Sequence, residues 1–383
     1  MSNFDLTADR RQFLAALAAT AALPSAAFAA APGGNHPAIR ALIDRYVAEK
    51  KVANMVVAVG SRAGPPDFLS AGRLELDAGP PADPDTLYRI HSMTKPITGC
   101  AVMMLIEQGK LTLDTPVSAI FPAYADLKVL TDPENSLETR PAARPMLVRH
   151  LVTHSAGLAY ASNAPPPLAR LYAADEFSLW QRPVAGAESR GPANLIAYAE
   201  SAASLPLLFD PGTRFTYSIA LDVAGAIVEK LSGVPFETFL AERIFAPLDM
   251  KDTSFTIPAA KLGRLAANYQ NTPQGIERID PAQDSGYLIA PPAPSGGGGL
   301  ISSARDYARF MAMLLGEGQL GGTRILKTET ARLMMSNLME PGVTATTEIG
   351  DSGYGAGGRS VIEGAPGGEA VGTCGWSGPS SIG

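Results

Sequence analysis

The chain has 383 residues, 46% hydrophobic and 18% charged, which is ample for a buried core and too apolar for a disordered chain. Its 31 basic and 37 acidic residues give a net charge of −6 with no basic cluster, which argues against nucleic acid or an anionic membrane as partner. Two cysteines exclude a disulfide scaffold and a cysteine-based zinc site, and four scattered histidines argue against a metal centre, so no cofactor is expected.

Residues 1–31 read as an export signal. Arg10-Arg11-Gln12-Phe13-Leu14 is a twin-arginine pair with a Phe-Leu step, and an apolar stretch runs on to Phe28. Ala27-Phe28-Ala29 then supplies a small-x-small cleavage pattern. The stretch is shorter than the ~20 residues that cross a bilayer. Its removal subtracts Arg10, Arg11, Asp5 and Asp9, two charges of each sign, and leaves −6. The expectation is a mature domain over 32–383, exported to the periplasm or beyond, with no stable membrane insertion.

After Pro32, the spacing of Ile39, Leu42, Ile43, Tyr46 and Val47 predicts an amphipathic helix. Met55–Val59 and Phe68–Leu76 are β-rich runs around Gly64-Pro65-Pro66, a hairpin pattern. From Pro96 to Gln108 the chain reads as a helix apolar on nearly every face, and such a helix belongs at the centre of a fold. The middle is helical with proline-rich interruptions at Asn163–Leu168 and Gln181–Pro192, of the kind that form functional loops. Two more helices are expected over Asp222–Leu231 and Ala304–Leu315, each closed by glycine, with a Pro/Gly loop at Pro291–Gly299 between them.

The sharpest chemical signal is His91-Ser92-Met93-Thr94-Lys95, which holds the only Ser-x-x-Lys of the chain. Three helical residues turn by about 300° and rise about 4.5 Å, so Ser92 and Lys95 share a face. A serine hydroxyl needs a neighbouring base to become a nucleophile, and a lysine in a dry setting can be that base. Proline at 96 suits a first helical turn, which places the pair where a loop enters the buried helix and backbone N–H groups favour developing negative charge. His91 and His154 show no legible Asp partner, so His154 is expected to be a core histidine. Cys100 and Cys374 are expected to be two buried thiols. No Gly-x-Ser-x-Gly occurs, which excludes the α/β-hydrolase elbow.

The stretch Tyr88-Arg89-Ile90-His91-Ser92-Met93-Thr94-Lys95-Pro96-Ile97-Thr98 resembles the nucleophile segment of the serine β-lactamase-like superfamily. The match is best to the family VIII carboxylesterases, relatives of class C β-lactamases. Glu107–Val117, His150–Leu158, Leu207–Gly233, Phe245–Phe255 and Gly297–Gly318 fit in the same order, so the likeness covers about residues 36–383. It implies an α/β (α+β) fold of β-lactamase/transpeptidase type: an antiparallel sheet flanked by helices plus an all-helical domain, with the site between them.

The resemblance also implies roles. Ser92 would be the nucleophile, and Lys95 and Tyr217 of Tyr217-Ser218-Ile219 would move its proton. Gly375-Trp376-Ser377-Gly378 stands where lactamases carry Lys-Thr-Gly or His-x-Gly. Trp376, Ser377, Gly378 and Ile219 would line the substrate pocket, apolar where a lactamase offers a cation and an amide. The function implied is hydrolysis of a small-molecule ester through an acyl-enzyme. The alternatives are a class C-like β-lactamase, a D-alanyl-D-alanine carboxypeptidase, and a non-catalytic binding homologue. Two features depart from the pattern. Pro379 has no N–H to give an oxyanion, so either a bulge lets Ser380 N–H supply it or the enzyme is weak. Family members also continue through two more strands and a helix, so a chain ending at Gly383 reads as lacking them.

Overall fold

The computed structural model describes residues 36–62, 64–174, 177, 179, 191–343, 352–364 and 368–378. The twin-arginine leader, Pro379 and most of Gln181–Pro192 lie outside the described residues. In chain order, helix α1 (Pro37–Ala48) precedes strands β1 (Asn54–Ser61), β2 (Gly64–Glu75), β3 (Ala78–Pro81) and β4 (Leu87–Arg89). A 3-10 turn (His91–Met93) leads into α2 (Thr94–Glu107), followed by β5 (Lys128–Leu130), β6 (Thr139–Pro141), α3 (Val148–Val152) and α4 (Pro166–Tyr172). Next come α5 (Leu195–Ala202), α6 (Ala220–Ser232), α7 (Phe236–Leu240) and the hairpin of β7 (Asn268–Thr272) and β8 (Gly275–Asp280). The chain then forms β9 (Ile301–Ser303), α8 (Ala304–Leu315), β10 (Gln319–Leu320), β11 (Thr323–Arg324), α9 (Thr328–Met335), β12 (Ser352–Tyr354), β13 (Arg359–Val361) and β14 (Cys374–Gly375).

The apolar helix predicted from Pro96 is α2, and every residue from Thr94 to Leu105 is buried. It packs against α6, whose first nine residues are also buried, and this pair forms the centre of the main core. Gly99 explains how close α2 lies to its other neighbour: a Cβ there would sit 2.0 Å from the Ala356 carbonyl oxygen, which only glycine avoids. The expected hairpin is β1–β2, antiparallel with Val57 opposite Leu69 and a bulge between Val59 and Ser61.

The strands are all antiparallel within their sheets, but they do not form one continuous sheet. β1-β2-β3 and β12-β13-β14 are separate three-stranded sheets, and shorter pairs complete the set. A cavity of about 750 Å³ is lined by Val56 of β1, Tyr307 and Met311 of α8, and Cys374 and Trp376. Cys100 is fully buried and free as expected, whereas Cys374, also free, is only half-buried on β14, which among the described residues pairs with β13 alone. No helix among the described residues is long and apolar enough to cross a membrane.

One strand pair sets the position of the site. β4 runs directly into the Ser92 turn, and its partner β9 follows the glycine run at 296–299. Tyr88 lies opposite Ser302 and Arg89 opposite Ile301. Ile90 N–H then donates to the Leu300 carbonyl at 3.1 Å, and Leu300 N–H donates to Thr94 Oγ1 at 3.1 Å. Residues two hundred positions apart in sequence are thereby held in one register.

Candidate active site

Ser92 sits in the 3-10 turn, and Lys95 is the second residue of α2. Lys95 Nζ donates to Ser92 Oγ at 3.1 Å and to the Gly297 carbonyl at 2.6 Å, and its side chain is fully buried. Tyr217 OH donates to Ser92 Oγ at 2.6 Å. Nothing in the local sequence brings Tyr217 there; the fold does. Its neighbours are tied to the segment after α3, with Thr216 N–H on the His154 carbonyl at 2.8 Å and Ser218 N–H on His154 Nδ1 at 3.1 Å. Asn163 Nδ2 donates to the Tyr217 carbonyl at 2.7 Å, which fixes the backbone from the other side.

Trp376 joins the same network. Its Nε1–H donates to Tyr217 OH at 3.1 Å, so the phenol accepts from the indole while it donates to the serine. This polar contact was not legible in Gly375-Trp376-Ser377-Gly378, where the indole reads only as an apolar wall. Tyr217 and Trp376 are also packed against Phe215 and Tyr354, with ring centroids of Tyr217 and Trp376 5.4 Å apart. Ser377 and Gly378 follow, both half-buried. Ile219 is placed differently from expectation: it stands at the start of α6 inside the main core, 2% exposed, and presents almost no surface to a ligand.

Lys95 Nζ also lies 4.4 Å from the ring centroid of Tyr217 and 5.6 Å from that of Tyr160. Two electron-rich faces and two acceptors thus surround the buried Lys95 ammonium. Tyr160 escapes the sequence reading because no motif marks it. Burial, with the Asp222 charge added, holds its hydroxyl well above the usual phenol range. Asp222, on the first turn of α6, is the other missed residue. Its Oδ1 accepts from Ser295 Oγ at 2.5 Å and from Gly297 N–H at 2.9 Å. Burial pushes its carboxyl up, while those two donors and the Lys95 charge pull the other way.

His154 is the core histidine expected. It is fully buried, its Nδ1 accepts the Ser218 N–H, and its ring lies 4.7 Å from that of Tyr217. Burial, assisted by the Lys95 charge, drives its pKa well below the ordinary value, so it is neutral. The hydrogen bonds to Ser92 come from Lys95 and Tyr217, an arrangement in which one hydroxyl faces two groups able to take or return its proton.

The family model described as Beta-lactamase matches residues 39–382. Protein Rv1367c of Mycobacterium tuberculosis is 36% identical over 305 residues, covering 79% of this chain and 71% of that protein. Esterase EstB of Burkholderia gladioli is 32% identical over 289 residues, covering 71% and 68%. Among solved structures, EstCE1, described as a hydrolase with promiscuous acyltransferase activity, superposes with a TM-score of 0.71 at 26% identity, covering 89% of this chain and 87% of that one.

Proposed function

The chain belongs to the Beta-lactamase family, as a serine hydrolase with esterase relatives, and within that family we propose that it is a carboxylesterase for small, uncharged esters. The observation that carries the proposal is the convergence of Tyr217 OH and Lys95 Nζ on Ser92 Oγ, at 2.6 and 3.1 Å, with an indole at 376 beside them.

In the proposed reaction Ser92 Oγ attacks the ester carbonyl carbon. The Oγ–C bond forms as the hydroxyl proton passes to the Lys95–Tyr217 pair. Collapse of the tetrahedral intermediate breaks the bond to the alcohol oxygen, and the same pair returns the proton to that oxygen as the alcohol leaves. Water then repeats the sequence on the acyl-enzyme and releases the acid. The Trp376 indole N–H orients the Tyr217 hydroxyl for both halves. The Ser92 turn opens α2, so the backbone N–H groups there favour the oxyanion.

Substrate class follows from what faces the serine. Among the described residues, Tyr217 and Trp376 set aromatic surface beside Ser92, and the cation in contact with the serine, Lys95, is buried. Each missing charge-assisted hydrogen bond to a lactam carboxylate is worth about 1.5–3 kcal/mol, roughly ten- to two-hundredfold in binding, and an uncharged ester loses nothing. The test is kcat/KM for p-nitrophenyl esters of two to sixteen carbons, with nitrocefin alongside. The expected order is butyrate above palmitate and both above nitrocefin; a nitrocefin preference makes the lactamase reading the better one. The twin-arginine leader supports export of the folded enzyme, which N-terminal sequencing of the secreted protein would test by a start near residue 32.

A further inference from the structure

Asp222 is a buried carboxylate that the ester mechanism above does not use. It lies one turn into α6, 3% exposed, and it does not touch Ser92. What it touches is the residue that holds Lys95. Gly297 N–H donates to Asp222 Oδ1 at 2.9 Å, and the carbonyl of the same Gly297 accepts from Lys95 Nζ at 2.6 Å. Ser295 Oγ donates to the same Oδ1 at 2.5 Å. Space there is tight: a Cβ on Gly297 would fall 2.9 Å from Asp222 Oδ2 and 3.0 Å from Tyr160 OH. Position 297 is therefore a glycine because a carboxylate and a phenol close over it. Thr98 Oγ1 fixes the preceding carbonyl, that of Gly296, at 2.7 Å.

The electrostatics point the same way. Lys95 is fully buried, and a buried ammonium needs compensating negative charge. The groups around it come from six places: Ser92 in the turn before α2, His154 and Tyr160 after α3, Tyr217 before α6, Asp222 on α6, the Gly297 carbonyl before β9, and Trp376 after β14. Of these, Asp222 is the one carboxylate. His154 is held neutral by burial, and burial keeps the Tyr160 hydroxyl protonated, so neither supplies charge of the needed sign. Burial pushes the Asp222 carboxyl up, and against that the two donors on its Oδ1 and the Lys95 charge favour the anion.

We propose that Asp222 is a positioning residue of the Ser92–Lys95–Tyr217 centre, which as an anion both anchors the Gly297 carbonyl under Lys95 and supplies the countercharge that sets how readily the centre gives up a proton. The inference rests on the proposed role of Ser92 as nucleophile. Removing the charge while keeping the shape, as in Asp222→Asn, leaves an amide oxygen that can still accept from Ser295 and Gly297. It deletes the Coulomb attraction that favours the protonated centre. Deprotonation then becomes easier, so the rising limb of activity against pH moves to lower pH. At an effective dielectric near 20 and a separation of several ångströms, the displacement is about one pH unit.

The experiment follows the second-order rate of Ser92 labelling by a fluorophosphonate from pH 5 to 10, which needs no ester turnover. In labelling, the Oγ–P bond forms, fluoride leaves, and the serine proton passes to the Lys95–Tyr217 pair. Asp222→Asn is expected to label at least tenfold more slowly at its optimum, with the limb about one unit lower. Asp222→Ser, which also removes the charge and keeps a hydroxyl acceptor, should move the limb the same way. It carries the test if Asp222→Asn does not fold. An unmoved limb in a folded variant, with thermal stability alone reduced, overturns the inference and leaves the nucleophile assignment standing. Absence of Ser92 labelling in the wild-type protein overturns both.

Discussion

Around Lys95 the backbone itself closes in: a Cβ on Gly357 would lie 2.2 Å from the Lys95 carbonyl oxygen, and one on Gly296 would lie 2.5 Å from that of Leu221. Trp376 follows instead a two-residue strand that among the described residues pairs with β13 alone, and it remains half-exposed. The groups proposed to move protons are thus set by main-chain contacts that tolerate no side chain, whereas the indole proposed to face substrate follows a short strand with room beside Gly375. Rigidity lies where a fraction of an ångström decides proton transfer, and latitude lies where different acyl groups must fit. Changes at the two ends should therefore fail differently, the first in rate and folding, the second in selectivity.

The largest expected effect is at Ser92 itself. Ser92→Ala should abolish ester hydrolysis with the melting temperature unchanged, because no acyl-enzyme can form. Lys95→Ala and Tyr217→Phe should each lower kcat by roughly 10²–10⁴ with little change in KM, since both act on the proton in the transition state. Their losses should not add in the double variant, as they serve one hydroxyl. Additive losses would place Tyr217 in the wall of the core and not in the proton network.

Gly357→Ala sharpens the contrast at the rigid end. The position has φ of +83° and no room for a methyl group, so strain and clash together should cost on the order of 3 kcal/mol or more. A differential scan should show a fall of several degrees, with activity reduced in the fraction that folds. At the adaptable end, Trp376→Phe keeps the aromatic bulk and deletes the N–H that reaches Tyr217 OH. A loss of roughly three- to tenfold in kcat is expected, from about 1 kcal/mol of one hydrogen bond, with the acyl-length order retained. Thermal stability should not change.

The smallest effect is on stability against pH. His154 and His150 both have folded pKa values lowered chiefly by burial. Below about pH 6.5 the unfolded chain binds protons that the folded one refuses, so stability falls as pH falls from there. Asp222 and Asp306, whose carboxyls are pushed up by burial, act with the opposite sign at lower pH. The difference between wild type and His154→Gln therefore isolates the histidine: the variant should show a shallower decline in urea-unfolding free energy between pH 6.5 and 4.5.

How far the sequence foretold this site depends on the range of the contact concerned. Ser92 and Lys95 are legible because three helical steps put them on one face, and the helix that carries them is apolar enough to be buried whatever surrounds it. Ala304–Leu315 is legible because its periodicity and its serine N-cap, Ser303 Oγ accepting from Asp306 N–H, act locally. Tyr217 needs the family likeness, since 125 residues separate it from the serine it touches. Tyr160, Asp222 and the Gly297 carbonyl could not be read at all: each matters through a partner from another element, brought near by the tertiary fold, for Gly297 through the β4–β9 register. Ile219 shows the reverse error, a residue assigned to the pocket by its neighbourhood in sequence and turned into the core by the start of α6.

The central claim is that one hydroxyl, on Ser92, carries the acyl group. The most direct measurement is peptide-mapping mass spectrometry of the enzyme quenched during turnover of a slowly deacylating ester. The account predicts a single adduct with the mass of the acyl group on the peptide containing Ser92, absent in Ser92→Ala. Turnover with no adduct on that peptide, or an active Ser92→Ala enzyme, would contradict it.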